Sequence, residues 1–302
     1  MLAPLKRIHL IINPASGPDR AVLQIANRVF RRHNIEWDVA ITHQVGDGGK
    51  CAREALSRED VDMVIAYGGD GTVMDVVNGL FGSSMPLGIL VGGTGNAVAD
   101  ELNISHDLET ALETLCAGRG QLQQMDVGKI DDTYFLLRAD TGLSTEVMAQ
   151  TTRELKQRFG VLAYFITLAR TMSGHPLKIN YRISVDGCLI ECQGAACIIT
   201  NISSVGTAGM KLGESVKFDD GLFDIFVLSA DLRSILSIAA SAMVLTSLEY
   251  ALQHWQGREI LLETDIPQPM GIDGNPYRQT PFNVTVIPRA IQVFVPSPRP
   301  SF

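Results

Sequence analysis

Gly68-Gly69-Asp70-Gly71-Thr72 sets a carboxylate and a hydroxyl among glycines in one short run. Met63-Val64-Ile65-Ala66 before it is an apolar run that reads as a buried strand. Val73, Val76, Val77 and Leu80 after it fall at helical spacing. Glycines at a strand-to-helix turn let backbone N–H groups approach a ligand, because no Cβ intervenes. The helix start adds unpaired N–H groups and a positive dipole end, a setting for phosphate. A carboxylate inside such a turn would repel phosphate unless a metal ion or a proton transfer accompanies it. The combination points to phosphoryl transfer. Two further turns share this chemistry. Asn13-Pro14-Ala15-Ser16-Gly17 offers an amide and a hydroxyl, and so does Gly92-Gly93-Thr94-Gly95-Asn96. Each alone is built from residues that ordinary turns use. Together with the Asp70 turn they are a set, because all follow strand patterns.

The elements that must hold these turns alternate along the first part of the chain. Ile8 to Ile12 reads as a strand, and a helix follows from about Arg20 to His33. Trp37 to Thr42 is the next strand, with a helix starting near Gly48. Leu87 to Val91 is another strand, followed by helices near 97–102 and 108–117. This rhythm predicts a doubly wound parallel sheet covered by helices, with the ligand at the carboxyl ends of the strands. The pattern changes near Met125. Ile179, Tyr181, Ile183 and Val185 alternate with polar residues, and Asp186-Gly187 is a hairpin signal. Further strands are expected at 196–200, 223–228, 259–263, 282–287 and 291–295. The fold class is therefore α/β with two domains: an N-terminal doubly wound parallel α/β domain and a C-terminal, mainly antiparallel β-sandwich domain with a few helices. The expected boundaries are 1–126 for the nucleotide-binding domain, with a strand near 290–296 returning to it, and 127–302 for a β-rich acceptor domain.

With 302 residues, 46% of them hydrophobic, the chain can bury a sizeable core. The net charge of −8 argues against a nucleic-acid partner. Five cysteines without a signal peptide or paired C-x-x-C spacing read as reduced thiols of a cytoplasmic protein. Cys188, Cys192 and Cys197 read as small buried hydrophobes. No stretch is long and apolar enough to span a bilayer. The nearest, Ser234 to Leu248, reads as a packed helix or a membrane-docking one. A second helical stripe runs through Leu155, Phe159, Leu162 and Ile166, with Arg153, Lys156 and Arg158 at its start.

The runs "IINPASG", "YGGDGTVMDVVNGL" and "GGTGNAVADEL" resemble the catalytic family of diacylglycerol kinases and sphingosine kinases, including the bacterial soluble lipid kinases. Asp126-Val127-Gly128, "TGLSTEVM", "FGVLAY", "FDDGLFDI" and "GIDGNPYRQTPFNVTVIP" continue the match in order. "GGDGT" alone is shared with NAD kinases; Asp75, Asn78, Gly79 and Leu80 follow the lipid-kinase pattern. The resemblance implies an NAD kinase/phosphofructokinase-like first domain, ATP and Mg²⁺ as cofactors, and a lipid substrate presented at a membrane or micelle surface. It implies that Asn13, Ser16, Thr42, Gly68, Gly69, Asp70, Gly71, Thr72, Thr94 and Asn96 bind the nucleotide. It implies a structural magnesium at Lys217, Asp220 and Leu222; a second Mg²⁺, bridging the phosphates, is expected at Asp70 with Asp126 assisting.

The departures from the family pattern fall at the acceptor end. The family usually has Asp-Gly-Glu where this chain has Asp273-Gly274-Asn275. That glutamate is the proposed base of the bacterial members, and an asparagine amide takes no proton near neutral pH. Asp70 or Asp273 would then take the role, with Asp70 preferred because it sits on the phosphate turn. Ala97 follows the sphingosine-kinase version of its loop, and Glu214 and Val216 replace the usual Pro and Ala. The expected activity is transfer of the ATP γ-phosphate to a lipid hydroxyl. Two other readings compete: a nucleotide- or lipid-binding member with weakened catalysis, and a kinase for a soluble acceptor such as NAD.

Overall fold

The computed structural model describes residues 4–93, 95–142, 178–205, 210–211, 216–228 and 252–297. The chain forms two compact units, Met1–Met125 with Arg289–Phe302, and Asp126–Pro288.

The first unit opens with β1 (Arg7–Ile12), α1 (Val22–Arg32), β2 (Glu36–Ile41) and α2 (Asp47–Leu56). It continues with β3 (Met63–Gly68), α3 (Asp70–Leu80), β4 (Pro86–Val91), α4 (Ala97–Glu101) and α5 (Leu108–Cys116). The strands pair in parallel in the order β2-β1-β3-β4. β3 is buried along its whole length, and β1 and β4 at all but their first residue, as strands covered on both faces must be. α1 buries Val22, Ala26, Val29 and Phe30, which recur at helical spacing. Arg31 and Arg32 occupy its last turn, where cations suit the helix dipole. The Asp107 side chain caps α5 by accepting from the Thr110 N–H at 2.8 Å.

The second unit takes in the end of β5 (Gly120–Ile130), then β6 (Thr133–Phe135), β7 (Arg138–Thr141), β8 (Ile179–Val185), β9 (Cys188–Gly194) and β10 (Ala196–Thr200). A short pair, β11 (Ser204–Val205) with β12 (Met210–Lys211), precedes β13 (Phe223–Leu228), β14 (Leu252–Gly257) and β15 (Glu259–Thr264). β16 (Pro269–Ile272), β17 (Asn275–Gln279) and β18 (Phe282–Pro296) follow. One sheet runs β14-β13-β10-β7-β16-β17, all antiparallel. Opposite it, β9, β8, β15 and the first half of β18 pair antiparallel. Tyr181, Ile183, Ile260 and Val284 from this second sheet meet Ile199, Phe223, Ile225 and Val227 from the first in one core.

The structure corrects several expectations. Residues 282–287 and 291–295 belong to one strand, β18, not two. Arg289 sits at φ 54°, so the chain kinks there and changes partner. Before the kink it pairs with β15; after it, Gln292 and Val293 pair in parallel with Pro86 and Leu87. β5 and β14 have no apolar alternation strong enough to mark them in the sequence. Of the three cysteines read as buried, only Cys197 is; Cys188 is exposed and Cys192 half-buried. The helical stripes at 153–169 and 234–248, and Thr94, lie outside the described residues.

Candidate active site

Strand order sets the three small-residue turns side by side. β2 lies on one side of β1, and β3 and β4 lie on the other. The order of winding therefore reverses between β1 and β3, and an open parallel sheet forms its ligand crevice at the carboxyl ends beside such a reversal. β1 runs out into residues 13–17, β3 into residues 68–72, and β4 into residues 92–96. Their main chains touch. A Cβ on Gly17, which sits at φ +69°, would lie 1.9 Å from the Gly92 carbonyl oxygen. A Cβ on Gly93 would lie 2.4 Å from the Gly69 Cα. Only glycine permits that approach.

Polar side chains then fix the turns to one another. Asn13 Nδ2 donates to Thr72 Oγ1 at 3.0 Å, and Asn13 Oδ1 accepts from the Ala15 N–H at 3.0 Å. The Ser16 N–H donates to the Asn13 carbonyl at 3.2 Å. Asn96, at φ 65°, closes on its own loop: Oδ1 accepts from the Gly93 N–H at 2.9 Å and Nδ2 donates to the Gly93 carbonyl at 2.8 Å. Asp70, the first residue of α3, reaches across to the start of α4. Its two carboxylate oxygens accept from the Ala97 and Val98 N–H groups at 3.0 and 3.1 Å. Thr42 is buried, and its hydroxyl donates to the Ile12 carbonyl at 3.4 Å. In the structure Asn96, Asp70 and Thr42 bond neighbouring main chain, and Asn13 bonds both main chain and the Thr72 hydroxyl, because short polar groups beside open turns bond the nearest donor or acceptor. The surface they organise is backbone from three turns plus the first turn of α3. Close by, burial raises the Asp100 carboxyl, the His106 imidazole at 2.6 Å opposes that rise, and the Asp70 charge adds to it.

The second unit carries the remaining candidates, at one end of its six-stranded sheet. Asp224, next to the 217–222 turn, pairs in register with Thr200, and Thr200 with Arg138. The Arg138 carbonyl accepts from the Asp273 N–H at 2.9 Å. The 217–222 and 273–275 turns are therefore three strand spacings apart, on the order of 14 Å. Asp220 is exposed, and its Oδ1 accepts from the Leu222 N–H at 3.0 Å. Asp126 is fully buried, and its Oδ2 accepts from the Gly221 N–H at 2.6 Å. Its N–H donates to the Phe218 carbonyl at 2.8 Å. Asp126 thus bears on the expected cation turn through the turn's backbone. Asn201, which sequence reasoning passed over, supports it: its Nδ2 donates to the Asp126 carbonyl at 2.7 Å. No motif or period marks Asn201 in the sequence; only its fully buried amide reveals it.

Asp273, at φ 49°, is held by three main-chain donors. Its carboxylate accepts from the N–H groups of Leu136, Leu137 and Arg138 at 3.1, 3.0 and 2.9 Å. Burial pushes this carboxyl up to about 6, against the pull of those donors. That geometry fixes the turn and leaves Asn275 exposed at the start of β17. Among the described residues no group of three or more His, Cys, Asp or Glu is gathered around a point. A cation at 217–222 would therefore rest on the Asp220 carboxylate and main-chain oxygens, hard donors that suit Mg²⁺.

Comparison with known proteins agrees with this organisation. Residues 7–130 match the diacylglycerol kinase catalytic domain, and residues 139–295 match the YegS C-terminal NAD kinase beta sandwich-like domain. A diacylglycerol kinase of Bacillus subtilis (strain 168) is 32% identical over 247 residues, covering 79% of this chain and 79% of that protein. A diacylglycerol kinase of Staphylococcus aureus (strain MRSA252) is 28% identical over 303 residues, covering 97% of this chain and 93% of its own length. The crystal structure of a diacylglycerol kinase from Bacillus anthracis str. Sterne has the same fold, with a TM-score of 0.79 at 23% identity over 98% of this chain and 99% of that one. Among the described residues no helix is long and apolar enough to cross a membrane. With both of its domains matched in order, the chain belongs to the diacylglycerol kinase family of lipid kinases.

Proposed function

We propose that this protein transfers the γ-phosphate of ATP to a hydroxyl of a lipid, such as diacylglycerol or a sphingoid base, with Mg²⁺. The observation that carries this reading is the packing of three glycine turns at the β1/β3 reversal, with Asp70 fixed among them. Backbone N–H groups of the turns and the start of α3 would bind the phosphates. Mg²⁺, when bound, neutralises charge on the phosphates. A separate, structural Mg²⁺ would take the Asp220 carboxylate, on a turn braced by Asp126 and Asn201. In the transfer, the bond from the γ-phosphorus to the β–γ bridging oxygen breaks, and a bond to the lipid hydroxyl oxygen forms. The hydroxyl proton leaves to a base. Asn275 has no carboxylate, and Asp70 stands on the phosphate turn itself, so Asp70 is the group we assign to it. A positioned base contributes about 10²–10⁴-fold, so an enzyme with asparagine at 275 is slower but active.

The test is transfer of radiolabelled γ-phosphate from ATP, with Mg²⁺, to diacylglycerol, monoacylglycerol and sphingoid bases in mixed micelles. We expect product with a lipid acceptor, none with NAD, and a rate raised tenfold or more by Asn275→Glu. Product with NAD alone would overturn the lipid reading. ATP binding without transfer to any acceptor, in both wild type and Asn275→Glu, would show a binding protein.

A further inference from the structure

We propose that Asp75 is a positioning residue that holds the loop after β2 at a fixed separation from the phosphate turn, so that one rigid body reads both ends of a nucleotide. The inference rests on the reading of the first unit as a nucleotide site.

Asp75 lies on α3, the helix that begins at Asp70. Its Oδ2 accepts from the Gly46 N–H at 2.7 Å. Gly46 sits at φ 87° as the N-cap of α2, a conformation that side chains resist. Behind this bond, α2 and α3 pack almost backbone to backbone. A Cβ on Gly48 would lie 2.9 Å from the Asp75 Cβ, and one on Gly49 would lie 2.8 Å from the Asp75 carbonyl oxygen. A Cβ on Gly79, one helical turn along α3, would lie 2.4 Å from the Gly49 carbonyl oxygen. Any movement of α3 therefore carries the start of α2 with it.

The loop between β2 and α2 is held from its other side as well. Asp47 Oδ2 accepts from the N–H groups of His43 and Gln44, each at 3.1 Å. Those N–H groups, with Lys50, hold the Asp47 carboxyl down at about 2. The main-chain donors of His43, Gln44 and Gly46 are thus all taken up by two carboxylates. The loop they shape still presents Val45, 94% exposed, at its tip. A β-branched side chain fully in water on a fixed loop is an apolar contact in waiting.

Sheet order supplies the distance. β2 and β3 flank β1, so their carboxyl-end loops are two strand spacings apart, about 10 Å. A nucleoside triphosphate whose phosphates lie on the β3 turn extends its sugar and base over that distance. The β2 loop would then meet the nucleoside, and the glycine turns the phosphates. Asp75, through its bond to the Gly46 N–H, sets the spacing between them.

Calorimetric binding of ATP, ADP and tripolyphosphate, each with Mg²⁺, to the full chain tests this. Asp75→Ala is expected to weaken ATP and ADP tenfold or more and to leave tripolyphosphate within twofold of wild type. Asp75→Asn keeps one acceptor oxygen for the Gly46 N–H and should restore most of the lost affinity. If Asp75→Ala does not fold, Asp75→Asn carries the test, with a smaller loss for ATP and none for tripolyphosphate. Equal weakening of all three ligands, or unchanged ATP affinity, would overturn the proposal. A wild type that binds neither ATP nor tripolyphosphate would remove the nucleotide reading on which it rests.

Discussion

Replacing Asp70 by asparagine separates a chemical group from a structural tie. The two carboxylate oxygens of Asp70 receive the Ala97 and Val98 N–H groups at 3.0 and 3.1 Å. Hydrogen bonds to a charged acceptor contribute about 1.5–3 kcal/mol each. The asparagine keeps one oxygen and turns an NH₂ towards the second amide, so one bond is lost and donor faces donor. With some allowance for the partial exposure of residue 70, the loss is about 2 kcal/mol. For a protein of 302 residues that is roughly 3 °C in Tm by scanning calorimetry. The amides of the 92–96 loop would shift with the start of α4, so ADP affinity should fall about tenfold together with kcat. A variant with wild-type Tm and wild-type ADP affinity, yet no transfer, would refute the argument. It would make Asp70 a purely chemical group.

Gly17→Ala places a Cβ 1.9 Å from the Gly92 carbonyl oxygen at a φ of +69°, and should cost about 2–4 kcal/mol in urea unfolding; an unchanged midpoint would mean the turns do not pack as described. For Asp273, burial raises the folded-state value to about 6, above the unfolded value of roughly 3.9. The stability it contributes is present below about pH 4 and is lost as the pH rises through about 6. The stability of wild type minus that of Asp273→Asn should therefore fall by roughly 2 kcal/mol between pH 4 and 7; a constant difference would show that the donors at 136–138 cancel the effect of burial, and a rising one that they outweigh it. Asp220→Asn should abolish any rise in Tm that Mg²⁺ produces without nucleotide; a persisting rise would place the cation elsewhere.

The parts of the fold legible in the sequence are those where burial is complete. β3 and β4 are apolar runs that lead into glycines, and β8 alternates cleanly because one face meets the core. β5 and β14 carry glutamines among few apolar residues, so periodicity is silent there. The three small-residue turns were legible as types of residue, since each follows a strand pattern in the first part of the chain. What their side chains do was not. Asp70 bonds residues 27 and 28 positions away, Asn13 one 59 away, and Asp273 residues 135 to 137 away. Such partners exist only after the sheet has ordered its strands, and local propensity carries no trace of them.

β18 has a consequence for the order in which the protein can be made. Its last residues pair with β4, a strand completed some two hundred positions earlier in synthesis. Until they emerge, the edge of β4 that Gln292 and Val293 later occupy stays open, and Gly120 waits for the Phe294 ring that packs against it. A ribosome carrying only the first 125 residues therefore holds an unfinished sheet with an unpaired strand edge, the kind of surface that recruits wrong partners. The second unit, whose core lies wholly between residues 130 and 286, can close before that edge is covered. A segment translated after the second unit thus finishes the first, and termination near residue 288 would yield a chain whose second unit is whole and whose first is not.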